Sequence, residues 1–145
     1  MKLLLVEDSQ VSQAAFSAAL EEFYHSQYPT VEIAGTLADA HAMVHAADVL
    51  VLDLTLPDAD ADEMMAFARK WIHLKPVIII SGTEEDRYII EAGAIGAGFL
   101  RKTCVSCQQA EMLRIELLRA QGALQAKREK RELVHDFIRV LGSHT

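Results

Sequence analysis

Val49-Leu50-Val51-Leu52-Asp53 is apolar at four successive positions and then stops at a carboxylate. A strand with one wet face alternates polar and apolar residues. A run with no alternation is covered on both faces, as in a parallel sheet held between two layers of helices. Leu3 to Val6 and Val77 to Ile80 have the same character. Working outward from these three, the strand candidates are Lys2 to Val6, Thr30 to Ala34, Val49 to Asp53, Val77 to Ser81 and Gly98 to Arg101.

Helical spacing fills the intervals. From Gln10 to His25, the residues Val11, Ala15, Ala19 and Phe23 fall on one face; Leu37, Ala40, Val44 and Ala47 mark a second helix, and Met64, Ala68 and Trp71 a third. A shorter fourth runs from Glu84 to about Ala92. Strands alternating with helices predict an α/β fold with right-handed crossovers, and at this size the flavodoxin-like doubly wound sheet of five parallel strands, order 2-1-3-4-5, with helices on both faces. After Lys102 the pattern is helical throughout. Met112, Leu113, Ile115, Leu117 and Leu118 suit a fifth helix on the sheet, Gly122 weakens it, Lys127 to Glu132 is wholly charged, and Leu133 to Leu141 resumes an apolar stripe. The expected organisation is a core domain over residues 1–121 and a helical C-terminal extension over 122–145, whose stripe calls for packing on the domain or on a dimer partner.

The 145 residues suit one domain, and 51% hydrophobic content with three prolines and seven glycines excludes disordered and low-complexity classes. The formal charge of −7 argues against direct nucleic-acid binding. It divides unevenly: residues 1–103 hold seven Lys and Arg against sixteen Asp and Glu (−9), and 104–145 hold seven against five (+2). Cys104 and Cys107 cannot build a disulfide framework; with no second pair at ligand spacing they read as ordinary residues entering the fifth helix. Glu7 and Asp8 interrupt the apolar start before a signal peptide could form, and no stretch approaches the roughly 20 residues of a membrane span. A soluble, cytoplasmic protein is expected.

In an open parallel sheet, ligands sit beyond the carboxyl ends of the strands. The first strand ends at Glu7-Asp8, the third at Asp53, the fourth at Ser81, and the fifth runs into Lys102. Three carboxylates in one pocket repel unless a cation compensates, and Mg2+, which prefers oxygen ligands and binds together with phosphate, is the natural partner. Asp53 could then act as a covalent phosphoryl acceptor, with Lys102 neutralising charge on the transferring group and Ser81 donating to a phosphoryl oxygen.

At these residues the chain resembles the receiver domain of two-component response regulators. The likeness is carried by Leu4-Leu5-Val6-Glu7-Asp8-Ser9, by Val51-Leu52-Asp53-Leu54-Thr55-Leu56-Pro57-Asp58, by Ile79-Ile80-Ser81-Gly82 and by Gly98-Phe99-Leu100-Arg101-Lys102, in order across residues 1–103. The resemblance implies that Asp53 accepts phosphate from a histidine kinase or histidine phosphotransfer protein. It further implies that Glu7, Asp8 and Asp53, with the backbone carbonyl of Thr55, hold Mg2+, and that Ser81 and Phe99 form the switch pair. The readout would be the surface of the fourth helix, fifth strand and fifth helix, presented to a downstream protein target or output domain. The chain departs from the family at Thr103, where proline is usual, at Ala61, where glycine is frequent, and at Ile95-Gly96, where Gly-Ala is usual. A cis bond before Thr103 would cost about 3–4 kcal/mol, so a trans bond is expected there.

Other readings compete. An aspartyl-phosphate phosphatase would carry a second aspartate two residues after the nucleophile as acid and base, where this chain has Thr55. A receiver-like interaction module that is never phosphorylated would need none of the carboxylates. A flavin-binding relative would cradle a phosphate at the first turn, which Glu7 and Asp8 would repel. The acidic run Asp58, Asp60, Asp62 and Glu63 reads as capping of the third helix, and His135 as a surface residue of the extension.

Overall fold

The computed structural model describes residues 1–24, 30–82, 86–102 and 106–142. The strands are β1 (Lys2–Val6), β2 (Thr30–Ala34), β3 (Val49–Asp53), β4 (Val77–Ser81) and β5 (Gly98–Arg101); the helices are α1 (Gln10–Tyr24), α2 (Leu37–Met43), α3 (Ala61–Trp71), α4 (Asp86–Ile95) and α5 (Ser106–Gly142). The sheet is parallel in the order β2-β1-β3-β4-β5. It is the doubly wound arrangement expected from the apolar runs. Every residue of β3 and β4 is buried.

Alternation along each strand sends neighbours to opposite faces. Leu4, Val6, Leu50, Leu52 and Ile79 join the core beneath α2, α3 and α4. Leu3, Leu5, Val49, Val51 and Ile78 join the core that includes Leu20 of α1 and Leu113 and Leu117 of α5. Ala61, where the family often has glycine, opens α3 in helical conformation, behind a capping box of Asp60 and Glu63. Asp58 serves a different helix: its carboxylate accepts from the amides of Leu37 and Ala38 at the start of α2, which holds it below the usual carboxylate range.

α5 crosses residue 121 without a break and continues to Gly142. Gly122 costs about 1 kcal/mol relative to alanine, too little to stop a helix anchored on both sides. Leu124 is buried, and the next turn is tied down by cations on backbone carbonyls. Lys127 Nζ donates to Ile95 at the end of α4 at 2.7 Å, and Arg128 to Leu74 in the turn after α3 at 2.9 Å. Cations are favoured at such carbonyl-rich helix ends. Arg131 Nη2 lies 3.3 Å from His73 Nδ1. From residue 128 onward the helix is exposed.

Two glycines stand where a side chain would be strained or crowded. Gly96 adopts φ +85 to turn α4 into β5. At Gly98 a Cβ would lie 3.1 Å from Glu116, so its absence lets α5 approach closely enough for Glu116 to accept from the Phe99 amide at 3.2 Å. That satisfies a donor on the open edge of the sheet. Among the described residues no helix is long and apolar enough to cross a membrane.

Candidate functional site

The carboxyl ends of β1, β3, β4 and β5 meet because the strands are in register. Asp53 stands opposite Ile80, the Leu54 amide donates to the Ile80 carbonyl, and the Lys102 amide donates to Ser81 at 3.0 Å. The Glu7 amide continues the ladder to Ala34 at 2.9 Å. Backbone pairing therefore brings together residues that are distant in sequence.

Glu7, Asp53 and Ser81 are the buried polar or charged residues among those described. Lys102 Nζ lies 2.7 Å from Glu7 Oε2 and 2.8 Å from Asp53 Oδ2, so one ammonium bridges two buried carboxyl groups. The remaining oxygens are held by the chain itself. Glu7 Oε1 accepts from the Ser9 amide and Asp53 Oδ1 from the Thr55 amide, each at 3.0 Å. Gln13 donates to the Glu7 carbonyl at 2.6 Å, and Ser9 Oγ accepts from the Ser12 amide at the start of α1. Asp8 is exposed at the mouth of the site.

Burial pushes the Glu7 carboxyl up, and its contact with Asp53 adds to this against the opposing pull of Lys102. Burial alone would lower Lys102, but its hydrogen bonds to Asp53 and Glu7 win and hold it above the ordinary lysine value. The pocket is thus short of positive charge even with Lys102 in place. Glu7, Asp8 and Asp53 each offer a carboxylate oxygen, and these lie within 4.8 Å of one another. An all-oxygen donor set, part buried and part open to solvent, fits a small hard cation that keeps some of its water.

Glu7, Asp8, Asp53 and Lys102 thus come together through their side chains, and Ser81 is joined to Lys102 through its backbone carbonyl. Ser81 is fully buried, and Phe99 is half-buried against the core of the α3–α4 side. Gln13 was not singled out from the sequence, and Asp58, read there as capping the third helix, caps α2 instead. Gln13 sits one helical turn after Ser9, the only signal available, and the partners of Asp58 lie some twenty residues away. Thr103 and Cys104, and with Thr103 the geometry of the bond after Lys102, lie outside the described residues, as does the side chain of Cys107.

A response regulator receiver domain model matches residues 3–114. The transcriptional regulatory protein PmrA of Pectobacterium parmentieri is 30% identical over 130 residues, covering 88% of this chain and 57% of that protein. The transcriptional regulatory protein KdpE of Staphylococcus aureus is 32% identical over 98 residues, covering 66% and 40%. The chain spans about half the length of these curated relatives. The crystal structure of a CheY-like response regulator receiver domain protein from Methanospirillum hungatei superposes with a TM-score of 0.66 at 20% identity, covering 83% of this chain and 96% of that one. At that identity the likeness is one of fold.

Proposed function

The chain belongs to the response regulator receiver domain family, and from that premise we propose that it is a phosphorylation-dependent signalling switch whose phosphoacceptor is Asp53. Receiver domains of this family act mainly as phosphoacceptors in two-component signalling. The observation that carries the assignment to Asp53 is its setting: a buried carboxylate at the end of a central strand, 2.8 Å from Lys102 and grouped with Glu7 and Asp8.

In the proposed reaction an Asp53 carboxylate oxygen attacks the phosphorus of a phosphohistidine on a histidine kinase or histidine phosphotransfer protein. An O–P bond forms, the P–N bond breaks, and its electron pair stays on the donor's imidazole nitrogen. The Thr55 amide orients the Asp53 carboxylate, and Lys102 exchanges part of its contact with Asp53 for the phosphoryl oxygens. Mg2+ would be held by Glu7, Asp8, Asp53 and the Thr55 carbonyl, and when bound supplies charge neutralisation between carboxylates and phosphoryl group. Ser81 then donates to a phosphoryl oxygen and Phe99 follows it inward, changing the α4-β5-α5 surface read by a downstream protein target or output domain. With threonine rather than a carboxylate at position 55, no second acid is supplied there for turnover, so the phosphoaspartate persists as a signal. We place residues 1–121 as the receiver unit, 122–145 as its helical extension, and the protein in the cytoplasm.

The test is incubation with acetyl phosphate and Mg2+ followed by intact-mass measurement. One phosphoryl adduct is expected on the wild type and none on Asp53→Asn. Failure of the wild type to take up phosphate from acetyl phosphate or from a histidine donor would favour an interaction module that is not phosphorylated. Rapid Asp53-dependent hydrolysis of small phosphomonoesters would favour a phosphatase.

A further inference from the structure

Positions 112, 115, 119, 122, 126, 129, 133 and 137 recur along α5 at intervals of three and four, so they share one side of the helix. Leu113, Leu117, Ala120 and Leu124, which bury against the domain, lie on the other side. The first side is open along its length: Met112 is 52% exposed, Ile115 55%, Leu133 71% and Phe137 64%.

The chemistry of this face is matched about its middle, near residue 124. Read from both ends toward the centre, Met112 corresponds to Phe137, Ile115 to Leu133, Arg119 to Glu129 and Gly122 to Ala126. Large apolar residues pair at the ends, opposite charges pair inside them, and two small residues meet at the centre. We propose that this face binds a second copy of the chain, with the two α5 helices antiparallel and the twofold axis passing near residue 124. Such an interface is isologous: each contact occurs twice, with the partners exchanged.

Charge selects this occupant and this direction. Parallel alignment in register would set Arg119 against Arg119 and Glu129 against Glu129, whereas the antiparallel register sets each against its opposite. Among the described residues Arg119 is held by Glu116 at 2.8 Å and Glu129 by Gln125 at 3.1 Å, both neighbours on the same helix. Gly122 and Ala126 allow the backbones to approach at the crossing. Because each domain packs on the opposite side of its own helix, the two domains fall on the outside of the pair. An isolated helix of the length that projects beyond Arg131 is marginal in water, and the partner's Met112 end would cover it. The strand-end site is left open, so this dimer does not depend on Asp53 being the phosphoacceptor.

The test uses the full chain at about 100 μM, unphosphorylated, by sedimentation equilibrium. Twice the 16.1 kDa chain mass is expected. Arg119→Glu and Glu129→Arg should each return the monomer, and the double variant should restore the dimer, which a folding defect would not. Ile90→Asp, on exposed α4, should leave the dimer intact. Direction is read in a Cys104→Ser, Cys107→Ser background: Met112→Cys should form a disulfide with Phe137→Cys when the two proteins are mixed and oxidised, and not with itself. A monomeric wild type, self-linking of Met112→Cys, failure of the charge exchange to restore the dimer, or loss of the dimer in Ile90→Asp would overturn the proposal.

Discussion

Replacing Lys102 with methionine keeps most of the side-chain stem and removes the one ammonium that bridges Glu7 and Asp53. The two carboxyl groups it contacts are 3% and 1% exposed, while its own side chain is 31% exposed. Breaking a fully buried pair by removing one partner costs about 3–5 kcal/mol, and the exposure of Lys102 reduces this to about 2–3 kcal/mol. The cost depends on pH in a defined direction. Glu7 titrates at 4.5 when unperturbed and is raised in the fold, so the native state holds more protons than the unfolded chain above that value. Loss of the ammonium raises Glu7 further, and the variant therefore loses stability as pH rises from 4.5 through the new value. Below that window Glu7 is protonated and its repulsion with Asp53 is relieved, leaving about 1 kcal/mol for the lost contact with Asp53. Urea titrations in chelator at pH 4, 6.5 and 8 read this directly. With a slope of about 2 kcal/mol/M, the midpoint of Lys102→Met should fall below wild type by about 1–1.5 M at pH 8 and by about 0.5 M at pH 4. Adding Mg2+ at pH 8 should narrow the gap, since the metal replaces the missing charge. An equal midpoint shift at all three pH values would refute the assignment of Lys102 as counter-charge to a strained carboxylate pair.

Leu124→Ala should cost about 2–4 kcal/mol in urea or thermal unfolding, because Leu124 is buried although it lies beyond residue 121; a loss under 1 kcal/mol would show that this turn is not part of the core. Gly96→Ala should cost about 1–2 kcal/mol from its φ of +85. Gly35→Ala, where a Cβ meets nothing within 4 Å, should stay within about 0.5 kcal/mol, and equal effects at the two sites would refute the backbone argument. For Asp58→Asn, the wild-type carboxyl is lowered from 3.8 by the amides of α2, so its contribution is present above 3.8 and is lost as pH falls through the native value. Thermal melts should show the wild-type advantage at pH 7 shrinking below 3.8, and a constant advantage would count against the capping role.

The strands were legible because full burial leaves a mark in composition. Val49 to Leu52 and Val77 to Ile80 have no polar position for a wet face, and a charged or hydroxyl residue ends each run where the sheet opens to solvent. The same logic placed Glu7, Asp53, Ser81 and Lys102 at one edge. That Lys102 would reach both Glu7 and Asp53 was not legible, since it depends on how β5 lies relative to β3 across the intervening β4. α5 shows the limit of local propensity. Gly122 and the charged run after it weaken a helix when read alone, yet Leu124, Lys127 and Arg128 find partners on other elements that outweigh the glycine. Asp58 is a similar case: it looks like part of the acidic start of α3, and only the fold brings the amides of α2 within its reach.

The cations that seat α5 on the ends of α3 and α4 also give the molecule a lever. From Arg128 to Gly142 the helix projects about 21 Å at 1.5 Å per residue. A tilt of about 10° at that fulcrum displaces the tip by about 4 Å. The fulcrum rests on the Ile95 carbonyl, at the end of the helix that leads into the strand that carries Phe99 and ends just before Lys102. A shift too small to alter the fold at the strand-end site would thus be enlarged severalfold at the far end of the rod.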